Sequence, residues 1–171
     1  MRIAKLMLND TVDTDSGICV SVWLQGCPFH CKGCHNPETW DFNGGEEIDE
    51  PFLMNNIAYA LNAYGIKRNL SILGGEPLCD ENLGFTCRLI GFIKNLLPRV
   101  KIYLWTGFEE CELAEDPKFQ YILDTVDVLI SGRFVQSQRD ITLPLRGSTN
   151  QLVWRRNQEG VLVLDVNNSI K

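Results

Sequence analysis

Strand and helix patterns alternate along this chain from residue 18 onward, and this alternation limits the fold more than any other feature of the sequence. The run Ile18–Leu24 is apolar and β-branched, which is typical of a buried strand. Pro51 can open a helix without cost, because the N–H that it lacks has no partner in a first helical turn. Strands that alternate with helices build parallel sheets with right-handed crossovers. The sequence therefore predicts an α/β fold.

The other elements are predicted from the same periodicities. The first helix ends at Gly65, and its buried face is predicted to carry Leu53, Ile57, Ala60, Leu61 and Tyr64. A second helix is predicted over residues 82–97, before Pro98. Further strands are predicted at residues 2–8, 69–73, 101–105, 126–130 and 161–165. Residues 132–151 show no clear period, and without a repeat or linker the 171 residues are expected to form one domain.

Charge and composition exclude several functions. The chain carries 16 Lys and Arg against 22 Asp and Glu, a net charge of -6, so a nucleic-acid partner is not expected. No apolar run reaches about 18 residues, and the first residues lack a cleavage site, so neither a membrane span nor a signal peptide is expected. Seven cysteines in a chain of this size indicate thiols kept in a reducing compartment, and we expect a cytoplasmic protein.

Four unusual peptides each follow one of the predicted strands directly. In chain order they are Cys27-Pro-Phe-His-Cys31-Lys-Gly-Cys34, Gly74-Gly75-Glu76-Pro77, Thr106-Gly107-Phe108 and Ser131-Gly132-Arg133-Phe134. The carboxyl ends of parallel strands share one edge of a sheet, and ligands bind at that edge. The sequence therefore predicts that four loops converge on one site.

The first of these peptides has the spacing C-x3-C-x2-C, which can place three thiolates around one metal centre. One interpretation is a structural zinc with His30 or His35 as the fourth ligand, although zinc sites usually use two separated pairs of ligands and no second pair is present. The other interpretation is a [4Fe–4S] cluster, in which three cysteines leave one iron open to a reactive ligand. The remaining cysteines are isolated and resemble small core residues: Cys19, Cys79, Cys87 and Cys111.

The second peptide, Gly-Gly-Glu-Pro, is either an ordinary turn or part of a ligand site. In the second interpretation Gly74 and Gly75 let the backbone approach a ligand closely, and Glu76 accepts hydrogen bonds from a cationic group such as an ammonium. Its position beside a loop with three cysteines favours the ligand site.

These motifs together resemble the radical S-adenosylmethionine (SAM) enzymes, and residues 27–41 resemble the activases of glycyl radical enzymes. Activases of pyruvate formate-lyase are similar around Cys34, but their chains are longer and an aromatic residue usually stands where this sequence has Gly33. The peptides from Asp127 and Leu143 onward are more similar to the activating proteins of anaerobic (class III) ribonucleotide reductases. One departure is Ser131, where that family more often has Asp.

The resemblance implies a fold and a set of site residues. The fold is a single-domain, incomplete (β/α) barrel of the radical SAM type with a mostly parallel sheet, covering residues 1–171. Cys27, Cys31 and Cys34 would hold the cluster, with no catalytic residue beyond the cluster and SAM. The implied SAM contacts are Asn36, Gly74, Gly75, Glu76, Thr106 and Gly107.

The resemblance also implies a reaction. An electron from a low-potential donor such as flavodoxin would enter the cluster and cleave SAM to methionine and a 5′-deoxyadenosyl radical. That radical would take a hydrogen atom from a glycine near the C-terminus of the partner, the large subunit of an anaerobic ribonucleoside-triphosphate reductase. The alternatives are an activase of the pyruvate formate-lyase type, a small radical SAM enzyme acting on a metabolite, and a non-catalytic zinc module. Arg133, Arg139 and Arg146 could hold a SAM carboxylate or the partner's loop, but exposed arginines are usually only solvated.

Overall fold

The computed structural model describes residues 1–166, which form one eight-stranded sheet and helices packed against it. The strands are β1 (Arg2–Asp10), β2 (Ile18–Leu24), β3 (Glu46–Glu47), β4 (Arg68–Gly74), β5 (Ile102–Trp105), β6 (Val128–Ser131), β7 (Leu152–Arg156) and β8 (Leu162–Leu164). The α-helices are α1 (Glu50–Asn62), α2 (Asp80–Leu96), α3 (Glu110–Glu115) and α4 (Gln120–Thr125). The predicted α/β class is confirmed.

The strand order in the sheet is β3-β1-β2-β4-β5-β6-β7-β8. The four central strands β2, β4, β5 and β6 run parallel, whereas the pairs β1–β2, β1–β3, β6–β7 and β7–β8 are antiparallel. The prediction of a mostly parallel sheet is therefore wrong, since the antiparallel pairs outnumber the parallel ones. A parallel pair needs a crossover connection, usually helical, and the helices α1 to α4 all lie in the connections that lead to the central strands β4, β5 and β6.

One face of the sheet carries the main hydrophobic core. The alternate residues of β2, among them Val20 and Val22, are fully buried against apolar residues of α1 and α2 such as Ile57 and Leu89. Helix α1 begins after Asp49, whose carboxylate accepts the N–H of Phe52 at 2.9 Å.

Tyr64 departs from the predicted core face. Helix α1 ends at Asn62, and the following turn Ala63–Gly65 gives Tyr64 a φ of 59°. Its side chain is 87% exposed, so the prediction that it lies on the buried face is wrong.

None of the helices within residues 1–166 is long and apolar enough to cross a membrane.

Loops cover the other face of the sheet. Ser71 donates to the carbonyl of Asp13 at 2.6 Å, in the connection between β1 and β2. Trp105 Nε1 donates to the carbonyl of Leu145 at 2.6 Å, within the segment 132–151 that has no clear period in the sequence. The central strands are thus buried on both faces, and their carboxyl ends remain the place where the motif loops gather.

Candidate functional site

The loops that follow β2, β4, β5 and β6 meet at one edge of the sheet, as the sequence predicts. Gly75 N–H donates to the carbonyl of Leu24 at 2.7 Å, which joins the exits of β4 and β2. Gly132 N–H donates to the carbonyl of Phe108 at 2.9 Å, which joins the exits of β6 and β5. The four motifs therefore form one continuous surface.

The cysteine loop is closed at its base by backbone hydrogen bonds. Gly26 N–H donates to the carbonyl of Thr39 at 2.8 Å, and Cys27 N–H donates to the carbonyl of Trp40 at 3.2 Å. These two bonds bring the ends of the loop together, so the three cysteines project from a fixed base rather than from a free strand end.

Gln25 strengthens the same base, although nothing in the sequence singled it out. Its buried side-chain amide donates to the carbonyls of Glu38 and Asp41 at 2.9 and 2.7 Å. The side chain of the first residue after β2 thereby holds the far end of the loop. The sequence shows no motif for such a contact, because its acceptors are backbone carbonyls, which every residue has.

The three predicted metal ligands are half-buried free thiols on this loop. Burial raises the pKa of the Cys27 thiol to about 11. Metal binding requires the thiolate form, so binding at Cys27 would release a proton. Within residues 1–166 no three His, Cys, Asp or Glu side chains lie close enough together to hold a single metal ion.

Backbone amides point at the cysteine sulfurs. Asn36 N–H donates to Cys34 Sγ at 3.4 Å. Burial raises the pKa of the Cys31 thiol, and the backbone amide of Phe134, after β6, acts against that rise. Amide hydrogen bonds to cysteine sulfurs are one of the means by which proteins stabilise and tune iron–sulfur clusters. The donor set therefore fits a cluster whose thiolates bind different irons.

The two histidines of the loop lie at its surface. His30 is exposed, has a φ of 46°, and stacks on the indole of Trp40 with ring centroids 4.9 Å apart. His35 is also exposed. Neither belongs to a group of three potential metal ligands in the described part of the chain.

Glu76 joins the second and third motif loops. Its carboxylate is 1% exposed and accepts from Leu78 N–H and Thr106 Oγ1 on one oxygen, at 2.9 and 2.7 Å, and from Gly107 N–H on the other, at 2.7 Å. Burial raises the pKa of Glu76 to about 7, and these three donors act against that rise. The predicted residues Glu76, Thr106 and Gly107 are thus in direct contact.

The fold itself requires the two glycines of Gly-Gly-Glu-Pro. A Cβ on Gly75 would lie 2.2 Å from the carbonyl oxygen of Gly26, and a Cβ on Gly74 would lie 2.5 Å from the backbone nitrogen of Leu24. The close approach that the sequence predicted is therefore an approach to the β2 exit of the same chain. Contact of these glycines with SAM stays a prediction.

Asn82 connects the first two loops from the start of α2. Its side chain is 4% exposed and donates to the carbonyls of Gln25 and Glu76, both at 3.0 Å, and to that of Gly26 at 3.4 Å. The sequence did not single out Asn82, because an asparagine in a first helical turn is ordinary. It fixes the base of the cysteine loop against the Gly-Gly-Glu-Pro loop.

Phe29 joins the cysteine loop to the third motif. Its ring packs on Gly107, where a Cβ would lie 2.5 Å away, and meets Phe108 edge to face at 5.0 Å. A residue with a side chain at position 107 would therefore collide with this ring. Asn36, the remaining predicted SAM contact, precedes the short turn Pro37–Thr39 and is half-buried.

Comparison with known proteins gives one family and a consistent set of relatives. Residues 15–154 match the family model described as a 4Fe-4S single cluster domain. The chain is 36% identical to the anaerobic ribonucleoside-triphosphate reductase-activating protein of Vibrio cholerae over 79% of this chain and 86% of that protein. Its identity to the protein of the same name from Pasteurella multocida is 35%, over 92% and 99%. The corresponding protein of Enterobacteria phage T4 is 32% identical, over 85% and 88%.

Proposed function

We infer the function of this chain from the family to which it belongs, the anaerobic ribonucleoside-triphosphate reductase-activating proteins, which carry a 4Fe–4S single cluster domain. The chain is an activating enzyme with a 4Fe–4S cluster. The observation that carries this conclusion is the closed loop with three cysteines at the edge where four strand exits meet.

The comparisons favour this function over the alternatives. The match to a 4Fe–4S domain opposes the zinc module. The relatives from Vibrio cholerae, Pasteurella multocida and phage T4 all activate the same class of reductase by name, which opposes both a pyruvate formate-lyase activase and a metabolite enzyme.

We propose that Cys27, Cys31 and Cys34 are the cluster ligands. A cluster held there would supply the electron that cleaves SAM into methionine and a 5′-deoxyadenosyl radical. The chain's own residues hold the loop: Gln25 and Asn82 fix its base, and Phe29 seats it against Gly107. A rigid loop keeps the reacting groups in a defined geometry and limits the access of water.

The SAM contacts are proposed at the three adjoining loops, through Asn36, Gly74, Gly75, Glu76, Thr106 and Gly107. Support comes from the hydrogen bonds that make Glu76, Thr106 and Gly107 one unit. A carboxylate has about four acceptor positions, and three of those on Glu76 are used within the chain, which leaves one for an ammonium donor.

The finer features of fold and partners are also proposals. The parallel core β2-β4-β5-β6 with helices on its outer face is consistent with an incomplete (β/α) barrel forming one domain over residues 1–171. The partner is the large subunit of the reductase, whose glycine loses the hydrogen atom, and the electron donor is a low-potential protein such as flavodoxin. A target carried on a protein loop suits a site formed by loops at a sheet edge.

The test is an anaerobic incubation of the reconstituted protein with SAM, a chemical reductant and an anaerobic ribonucleoside-triphosphate reductase. We expect the reductase to gain activity while 5′-deoxyadenosine and methionine appear. Pyruvate formate-lyase in place of the reductase should remain inactive. Rapid cleavage of SAM without any protein partner, together with a modified small molecule as product, would contradict the proposal.

A further inference from the structure

Arg133, the second residue after β6, lies against the cysteine loop. Its guanidinium carbon is 4.5 Å from the centroid of the Phe29 ring, close enough for a cation–π contact. Phe29 stands between Cys27 and Cys31 in the sequence, so this contact places a positive charge beside the loop that carries the proposed ligands.

Acidic side chains and an amide hold Arg133 in this position. Its Nη2 lies 2.9 Å from a carboxylate oxygen of Glu112, and its Nη1 lies 3.9 Å from one of Glu109. The side-chain amide of Asn150 donates to the Arg133 carbonyl at 2.9 Å. Asn150 thus holds the backbone of Arg133, and Glu112 pairs with its guanidinium beside Phe29.

The segment that carries Arg133 touches the cysteine loop at a second point. A Cβ on Gly33, which stands between Cys31 and Cys34, would lie 2.9 Å from the side chain of Gln136. Arg133 therefore belongs to a segment that packs along the loop of the proposed ligands.

We propose that Arg133 is a positioning residue that seats Phe29 and raises the reduction potential of the cluster by holding a fixed positive charge beside the cysteine loop. The proposal rests on the proposed function, since it requires a cluster at Cys27, Cys31 and Cys34. Adding one electron makes a site that already carries three thiolates more negative, and a nearby cation favours that reduced state. Glu112 neutralises part of the cation and therefore acts in the opposite direction.

The experiment is a redox titration of the reconstituted protein without SAM, followed by electron paramagnetic resonance (EPR). At the potential where the wild-type cluster is half reduced, Arg133→Gln should lower the ratio of reduced to oxidised cluster about tenfold, a shift of about 59 mV for one electron. Arg133→Lys keeps the charge and should bring the ratio of reduced to oxidised cluster most of the way back to the wild-type value. Glu112→Gln should shift the ratio the other way, because it leaves the Arg133 charge uncompensated.

Matched controls separate charge from general disturbance. Arg139→Gln makes the same change of charge at an exposed position of the same segment and should leave the titration unchanged. A wild-type ratio in Arg133→Gln, or a shift of Arg133→Gln and Glu112→Gln in the same direction, would overturn the proposal. An altered SAM affinity with an unaltered potential would also overturn it, by assigning Arg133 to SAM. If Arg133→Gln does not hold a cluster, Glu112→Gln decides: a ratio of reduced to oxidised cluster above that of the wild type supports the proposal, and an unchanged or lower ratio overturns it.

The outcome also distinguishes this inference from the function on which it rests. A wild-type protein that binds no cluster would contradict the proposed function itself. A wild-type protein that binds a cluster and activates the reductase, with a potential indifferent to Arg133, would contradict this inference alone.

Discussion

Replacement of Cys31 by alanine is expected to leave the protein unable to hold a 4Fe–4S cluster after anaerobic reconstitution. Cys31 lies in the middle of the only cysteine spacing suited to a cluster, and amides from two loops support the sulfurs of that motif. Loss of one of three thiolates leaves two irons without a protein ligand. Iron and acid-labile sulfide content, with the absorption of the cluster, measure the effect.

Two cysteines outside the motif serve as controls. Cys111 is exposed on α3, and Cys87 packs at the margin of the main core on α2. Replacement of either by alanine should leave the full complement of iron and sulfide. A cluster that survives in Cys31→Ala, or is lost in Cys111→Ala, would show that the ligand assignment is wrong.

Gly75→Ala is expected to destabilise the protein by about 3 kcal/mol or more, because the site cannot accommodate a side chain. The new Cβ would lie 2.2 Å from the Gly26 carbonyl oxygen, and the neighbouring backbones are held together by two hydrogen bonds of 2.7 Å. Neither backbone can move without breaking the contact between the β2 and β4 exits. Urea denaturation under anaerobic conditions measures the free energy of unfolding.

Gly84→Ala is the matched control for that substitution. Gly84 lies within α2, and its new Cβ would meet only the end of the flexible Arg88 side chain, at 3.2 Å. Alanine is the better helix former by about 0.5–1 kcal/mol, so stability should be unchanged or slightly higher. Equal stabilities of Gly75→Ala and Gly84→Ala would contradict the close packing of the two strand exits.

Periodicity predicted the centre of the fold well. The strand Ile18–Leu24 is found with the bounds that its β-branched, apolar run indicates, and α2 follows the predicted helix within two residues. The four motifs meet as expected, because parallel strands leave no other place for the loops after them. Long, strongly periodic segments buried between two layers leave a clear pattern in the sequence.

The outer part of the sheet was predicted only in part: strands near β1 and β8 were expected, whereas β3 and β7 were not, for physical reasons. β7 has the sequence Leu-Val-Trp-Arg-Arg, in which apolar and polar residues hardly alternate. It forms a strand through its pairing with β6. Helices α3 and α4 have six residues each, too few turns for a helical period to show. The outer strands are antiparallel because the connections that lead to them lack α-helices. The direction of a strand therefore depends on its connections and cannot be predicted from the residues of the strand alone.

The residues that support the cysteine loop were not predicted, and the assignment of the three cysteines as ligands stays a prediction. Cys27, Cys31 and Cys34 stand out because their spacing is rare, whereas Gln25 and Asn82 act through amides that reach distant carbonyls. Such contacts depend on the tertiary fold and produce no recognisable residue spacing in the sequence.

In the proposed reaction, this chain produces a radical on a glycine of its partner reductase. The most direct measurement is EPR of the mixture after anaerobic incubation with SAM and a reductant. If this reaction takes place, a glycine-centred doublet appears on the reductase. The doublet is absent when the target glycine is replaced by alanine, and absent when this chain carries Cys31→Ala. A fully loaded cluster with no doublet, or a doublet that persists with Cys31→Ala, would contradict it.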